Sequence, residues 1–320
     1  MKHVHVMVAV LRDADGRVLI NQRPSGKMQA GRWEFPGGKL ERGEGRVEGL
    51  RREIHEELGV QVDSAHPLIR IRHQYPEINV LLDVFDVPQW QGVPESREGQ
   101  ALKWVAPEQL PAEDILEADA PVISAIRLPD RLLVTPEPRS GDDEGFLAEL
   151  AGSLAQGVTL VQFRAHSLDD ADYCRLARKV ISHCHEAGAL VLLNRDPSTV
   201  DELPADGVHL SSGRLDSIPD TTQLQGRWDW LSASCHDEAE LSMATRAGAH
   251  FALLGPVKET ATHPGATPLG WQRFEELVEG AQLPVFALGG MAEHDCDVAR
   301  ERGGQGIAAI RAFWKAGRRD

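Results

Sequence analysis

Gly37 to Val60 reads GGKLERGEGRVEGLRREIHEELGV, and this stretch decides the architecture of the first part of the chain. Gly37-Gly38 follow Phe35-Pro36, so the backbone turns sharply and can approach a ligand closely. The segment from Arg46 to Leu58 has the pattern of an amphipathic helix. Glu53, Glu56 and Glu57 fall at i, i+3 and i+4 on it, so three carboxylates share one face. Such a cluster repels itself, and a hard cation with oxygen ligands removes the penalty; Mg2+, or Mn2+ in its place, suits carboxylates combined with substrate phosphates. Gly59 stands where a left-handed helix cap is required. A solvated acidic helix face is the competing reading of the same run.

The spacing weighs against that alternative. From Gly38, five residues lead to Glu44 and seven more to Arg52, followed by Glu53, Ile54, Glu56, Glu57, Gly59 and Val60. The run resembles the Nudix box at every defined position, which implies Mg2+-dependent hydrolysis of a nucleoside diphosphate linked to another moiety. The first ~127 residues are similar to the MutT branch, through Arg23, the EFPGGK run from Glu34 to Lys39, Glu98 in REGQALKW and the ADAPVI segment around Asp119. That branch hydrolyses 8-oxo-dGTP to the monophosphate and pyrophosphate, a reaction of nucleotide-pool sanitisation and mutation avoidance.

By this resemblance Glu53, Glu56, Glu57 and Glu98 hold the metal with the Gly37 carbonyl. Glu53 orients or deprotonates the attacking water, with Glu98 as its rival. Arg52 pairs with Glu44 and fixes the helix against the glycine loop. Arg23 touches phosphate or base, and Glu34, Phe35, Pro36, Gly37 and Gly38 line the substrate side. Asp119 stands where close relatives carry an asparagine that reads the purine edge. Asparagine offers a donor and an acceptor, whereas ionised aspartate only accepts; burial would raise the pKa of Asp119 and restore a donor.

The rest of the composition bounds the setting. The chain has 320 residues, enough for about two domains. It is 42% hydrophobic and 26% charged, the balance of an ordinary globular protein. No stretch approaches ~18 consecutive apolar residues, so no membrane span is expected. The opening MKHVHVMVAVL alternates like a strand and lacks a signal-peptide cleavage site. Cys174, Cys184, Cys235 and Cys296 form no CxxC pair and read as thiols of a reducing cytoplasm. With 34 basic against 49 acidic residues the formal net charge is −15, which repels a nucleic acid polymer and leaves a small nucleotide as the expected partner.

A Pro-rich stretch, LPDRLLVTPEP, runs from Leu128 to Pro138 and places a domain boundary near Pro129, giving expected domains 1–129 and 130–320. Beyond it, strand-like runs recur at 131–137, 158–164, 189–195, 207–212, 228–235, 250–257, 284–290 and 306–313. Most are short and nearly continuously apolar, as strands buried on both faces are. Helix-like segments alternate with them, although the region after Arg195 is poor in helix pattern. The expected fold is α/β throughout: an α/β/α sandwich with a mixed sheet, then a (β/α)8 TIM barrel.

Barrel sites sit at the C-terminal strand ends. Those ends carry Gln162, Arg164, Asn194, His209, Ser232, Ser234 and His236, then Thr260, Thr262 and the pair Gly289-Gly290, which suits a phosphate held by backbone N–H groups. A polar rim without a substrate is the competing reading. VQFR, LLNR, DGVHLSS, SASCHDEAE, LLGPVKETATHPG and PVFALGG, in this order, resemble the thiamin phosphate synthase and TenI family. The resemblance implies a thiazole or pyrimidine phosphate as ligand. Synthases hold Mg2+-pyrophosphate with lysines and aspartates; at the matching places stand His166, Arg195, Arg214 and His263. The expectation is a barrel without synthase activity. It could serve as a thiazole tautomerase with His236 as proton shuttle, or as a non-catalytic ligand-binding or homodimerisation module. In the tautomerase case the Nudix half would hydrolyse a diphosphate of thiamin metabolism.

Overall fold

The computed structural model describes residues 2–26, 29–217, 224, 226–260, 265 and 267–314. The chain forms two compact units, Met1–Arg127 with Val278–Pro284, and Leu128–Leu277 with Val285–Asp320.

The first unit runs β1 (Lys2–Leu11), β2 (Val18–Gln22), β3 (Trp33–Glu34), β4 (Gly37–Lys39), α1 (Arg46–Leu58), β5 (Gln61–Gln74), β6 (Ile78–Gln91), β7 (Leu102–Val105) and α2 (Ala120–Arg127). Its main sheet has the order β4-β1-β6-β5, with β1 and β6 parallel and the outer pairs antiparallel; β3-β2-β7 form a second sheet. Successive side chains of a strand face opposite ways, and β1 shows why its C-terminal half is buried throughout. Met7, Ala9 and Leu11 enter one core with Leu50, Ile54 and Leu58 of α1. Val8 and Val10 enter the other with Val122, Ala125 and Ile126 of α2. The sheet is therefore covered by a helix on each face, the mixed-sheet sandwich expected.

The second unit comprises β8 (Arg131–Val134), α3 (Asp143–Leu154), β9 (Leu160–Phe163), α4 (Asp170–Glu186), β10 (Leu190–Leu193), α5 (Pro197–Val200), β11 (Gly207–Leu210), α6 (Ser212–Ser217), β12 (Trp230–Cys235), α7 (Glu238–Arg246), β13 (Phe251–Leu254), α8 (Gly270–Gly280), β14 (Val285–Leu288), α9 (Asp295–Glu301) and β15 (Gly306–Ala309). The strands close into a parallel barrel, β10-β11-β12-β13-β14-β15-β8-β9. Each of the eight expected runs carries one strand, shortened because the residues at its ends leave the ladder. Among the described residues, the helices between β10 and β12 are the short α5 and α6. Leu132, Val134, Leu160, Leu192, Trp230, Phe251, Leu253 and Phe286 fill the barrel core. The Pro-rich stretch is less a linker than the start of this unit, since α2 ends at Arg127 and β8 begins at Arg131. Among the described residues no helix is long and apolar enough to cross a membrane.

Candidate active sites

The acidic helix is anchored at both ends. Arg46, its first residue, donates from Nε and Nη2 to the Asp83 carboxylate at 2.6 and 2.7 Å. Asp83 is buried on β6 and also lies 3.1 Å from His5 Nε2. At the other end Gly59 adopts φ 74° and its N–H donates to the His55 carbonyl at 3.0 Å, so the left-handed cap is present. Burial of Leu50, Ile54 and Leu58 turns Glu53 and Glu57 toward the glycine strand β4. There the Gly37 N–H donates to Glu57 Oε2 at 3.1 Å. A Cβ on Gly38 would overlap the Glu53 carboxylate, and one on Gly37 would overlap the Met7 carbonyl.

Arg52 binds this arrangement together. Its Nε and Nη2 donate to the two oxygens of Glu44 at 2.9 and 3.0 Å, its Nη2 to the Lys39 carbonyl at 3.0 Å, and its Nη1 to Glu53 Oε1 at 2.8 Å. Glu56 is more exposed and lies 3.3 Å from the same Nη1. Glu57 is pushed up to about 7, first by burial; the Gly37 N–H opposes this, and the charges of Glu98, Glu34 and Glu53 add to it. Glu98 itself stands on an exposed loop.

Among the described residues no three carboxylate, imidazole or thiol groups converge into a ready-made metal cage. The donor set nevertheless fits a hard cation: it is all oxygen, its charges are mutually repulsive at Glu57, and a glycine without a side chain leaves room beside Glu53. Gly38→Ala is expected to displace the Glu53 carboxylate. Turnover should fall about tenfold or more with little change in melting temperature, read by steady-state kinetics beside a thermal melt.

A second group of side chains surrounds the residues just before the glycine turn. Arg23 and Glu34 form an ion pair. Phe35 is buried, and its N–H donates to Asp119 Oδ2 at 3.3 Å. The Pro36 carbonyl accepts from Ala9 N–H at 2.9 Å, which ties the turn to β1. Asp119 is buried at the entry to α2 and its carboxyl is pushed up to about 7, by burial first and then by Glu34, against the pull of the Phe35 N–H and Arg23. Tyr75 belongs to the same group and is not singled out by the sequence motifs. Its ring packs on the core cluster that contains Phe35, and its hydroxyl is raised by burial and by the charge of Asp119. It sits in the turn joining β5 to β6, where a lone aromatic gives no periodic signal.

In the barrel, the C-terminal strand ends enclose a cavity of about 650 Å3. Gln162, Arg164, Asn194, Ser234, His236, Thr260, Gly289 and Gly290 line it. Gly289 and Gly290 are left-handed, and side chains there would collide with Pro256 and with the Glu259 carbonyl, so close loop packing accounts for both glycines. His209 and Ser232 do not reach the cavity. His209 is fully buried, with Nδ1 2.8 Å from Ser232 Oγ and Nε2 2.8 Å from Ser234 Oγ. Burial, followed by the charges of Arg214 and His166, lowers it to about 3, and the two serine hydroxyls take up both ring nitrogens. His236 is exposed, with Nδ1 2.8 Å from Glu240. Cys235 is buried and its thiol is pushed up to about 12 by that burial, as a core residue's would be. Thr262 and His263 lie outside the described residues.

A family model described as thiamine monophosphate synthase matches residues 132–313, and one described as NUDIX domain matches residues 7–125. A putative thiamine-phosphate synthase 2 of Aquifex aeolicus is 32% identical, over 59% of this chain and 99% of its own. A CTP pyrophosphohydrolase of Escherichia coli is 34% identical over 39% of this chain and 92% of its own. This chain is a Nudix domain fused to a thiamine monophosphate synthase-family domain. The Nudix–synthase-like chain spans about half the length of some other synthases it matches, such as that of Synechococcus (32% identity, 57% of this chain, 52% of that one). Its barrel resembles in fold a solved thiamine phosphate pyrophosphorylase from Pyrococcus furiosus, with a TM-score of 0.50, 21% identity, and coverage of 59% and 88%.

The arginines of the synthase-like barrel are placed unequally. Arg195 turns away from the cavity, donating to Asp170 at 2.8 Å and to the Ala165 and Leu168 carbonyls, with its guanidinium over the Tyr173 ring. Arg214 reaches Asn194 Oδ1 at 3.3 Å. Arg311, just past β15, lines the cavity although its position after the eighth strand was open to reading from sequence.

Proposed function

We propose that the Nudix domain is a Mg2+-dependent nucleoside triphosphate pyrophosphohydrolase that acts on 8-oxo-dGTP, giving the monophosphate and pyrophosphate. The supporting observation is a charge-crowded helix face beside a side-chain-free glycine turn, with the buried Asp119 accepting from the Phe35 N–H just before that turn. Glu53, Glu56, Glu57 and Glu98 would hold the metal with the Gly37 carbonyl, and a bound Mg2+ would offset charge on the leaving pyrophosphate. Glu53 accepts a proton from the attacking water. Arg52 keeps the Glu53 carboxylate oriented through its 2.8 Å contact while Glu44 holds the other edge of the guanidinium. Arg23 meets the triphosphate or base, Phe35 and Tyr75 flank the base, and Asp119 reads its edge.

A second reading, a cytidine triphosphate substrate, is favoured by the name of the Escherichia coli relative. Product formation from 8-oxo-dGTP, dGTP, CTP and thiamin diphosphate, measured side by side with Mg2+, tests both. Preference for 8-oxo-dGTP over dGTP supports the first reading, and preference for CTP replaces it with the second. Rapid turnover of thiamin diphosphate alone would overturn both. Such a result would revive the tautomerase role of His236.

The barrel, on this proposal, binds a small phosphorylated molecule without acting as a synthase. His236 is exposed and held by Glu240, the placement of a rim residue rather than of a proton shuttle enclosed with its substrate. His236→Ala is therefore expected to leave nucleotide hydrolysis unchanged within about twofold. A deficit larger than tenfold would couple the barrel to the reaction.

A further inference from the structure

Resting on the reading of the barrel as a small-molecule site, we infer that its rim holds a phosphorylated metabolite directly on arginine side chains, with no divalent cation between them. The observations concern which charges face the cavity. Mg2+ is held by oxygen ligands, commonly one or two carboxylates plus substrate phosphate. Among the described residues the only carboxylate lining the cavity is that of Glu259, on the exposed rim. The nearby Glu137 is already occupied, accepting from the His166 and Ser167 N–H groups at 3.1 and 3.2 Å and pairing with Arg164 at 3.1 Å. Asn194 Oδ1 accepts from Arg214. The donors present do not fit a hard cation.

They fit an anion. Arg164, His166 and Arg311 line the cavity and Arg214 stands directly behind Asn194. Among the described residues neither Arg214 nor Arg311 makes a close ion pair, although the charge of Arg214 is near enough to Asp196 to help hold that carboxyl low. Beside them His166 is lowered by burial first and then by Arg164, against Glu137, with Arg214 and Arg195 adding to the lowering. A guanidinium fork matches phosphate oxygens bidentately without help from a metal. Gln162, which also lines the cavity, is buried and its Oε1 has no hydrogen-bond partner, a demand that a donor on the ligand can meet. The volume of about 650 Å3 lies in the usual range for small-molecule sites.

The test is calorimetric titration of the full-length protein with inorganic pyrophosphate in EDTA and again in Mg2+. Binding is expected to persist in EDTA. Arg311→Ala should weaken it about 10- to 100-fold, as loss of a charge-assisted contact does, and Arg214→Asp should weaken it by a similar factor by reversing the charge beside the lining Asn194. Arg311 is exposed, so its alanine variant keeps the fold, and a thermal melt of both variants checks this. Binding that requires Mg2+ and is weakened by Arg311→Ala would overturn the metal-free inference while leaving the barrel a ligand site; Mg2+-dependent binding that the variant does not change belongs to the Nudix domain and would overturn both. Absence of binding in both buffers would overturn the ligand-site reading with it. Affinity unchanged in both variants would locate pyrophosphate elsewhere and overturn the inference as well.

Discussion

Glu53→Gln is expected to lower kcat for nucleotide hydrolysis about a thousandfold with KM changed by less than about threefold, in the range for loss of a positioned general base. The amide keeps an oxygen to accept from Arg52 Nη1, which Glu53 Oε1 now does at 2.8 Å, so the Arg52–Glu44 brace survives. It also keeps the volume that fits against Gly38. What it removes is one negative charge and the ability to take a proton. Steady-state kinetics in Mg2+ with a thermal melt decide the matter. A loss below tenfold, with Glu98→Gln showing the larger defect, would transfer the role to the loop carboxylate.

Arg52→Ala is expected to be worse than its distance from the reacting water suggests. Five contacts end at this guanidinium, two from Glu44 and one each from Glu53, Glu56 and the Lys39 carbonyl. Their loss would leave the half-buried Glu44 and Glu53 carboxylates without their cation. Both turnover and melting temperature should fall, unlike Glu53→Gln, where only turnover does.

The parts of this architecture that were legible from sequence are those with a local cause. The helix from Arg46 to Leu58 follows from its apolar spacing and its Gly59 cap, and the barrel strands from their apolar runs. The contributions that escaped come from residues distant in sequence. Asp83 lies within the run INVLLDVFDV and looks like an interruption of a strand, yet it is the buried partner of Arg46, 37 residues away. Tyr75 acquires its place only because the turn after β5 meets Asp119 and Phe35 in space. His209 reads as a rim residue because it is near a strand end, but its side chain points to the barrel interior, where Ser232 and Ser234 from the neighbouring strand satisfy both ring nitrogens. Strand direction was readable there; inward or outward placement depended on the register between β11 and β12.

Asp119 is expected to make substrate preference depend on pH around neutrality. Its carboxyl, pushed up to about 7 by burial and then by Glu34, is neutral below that pH and ionised above it. A neutral carboxyl both donates and accepts, which matches the N3 acceptor and N4–H2 donor of cytosine; an ionised one only accepts, which matches N1–H and N2–H2 of guanine. The ratio of kcat/KM for CTP to that for 8-oxo-dGTP follows the ratio of neutral to ionised carboxyl and should therefore fall about 100-fold between pH 6 and pH 8, whatever happens to the shared metal-bound chemistry. Asp119→Asn should flatten the ratio, because the amide keeps an acceptor for the Phe35 N–H and does not titrate. Stability supplies an independent reading of the same group. The folded state holds this proton more tightly than the unfolded chain, so over pH 4 to 7 the native protein binds more protons and its stability falls as pH rises, levelling above about 7. The asparagine variant should lose that slope and be the more stable form at pH 8. Melting curves that run parallel for the two proteins across pH 5 to 8 would show that Asp119 is ionised throughout, and the carboxylate would then read guanine by acceptance alone.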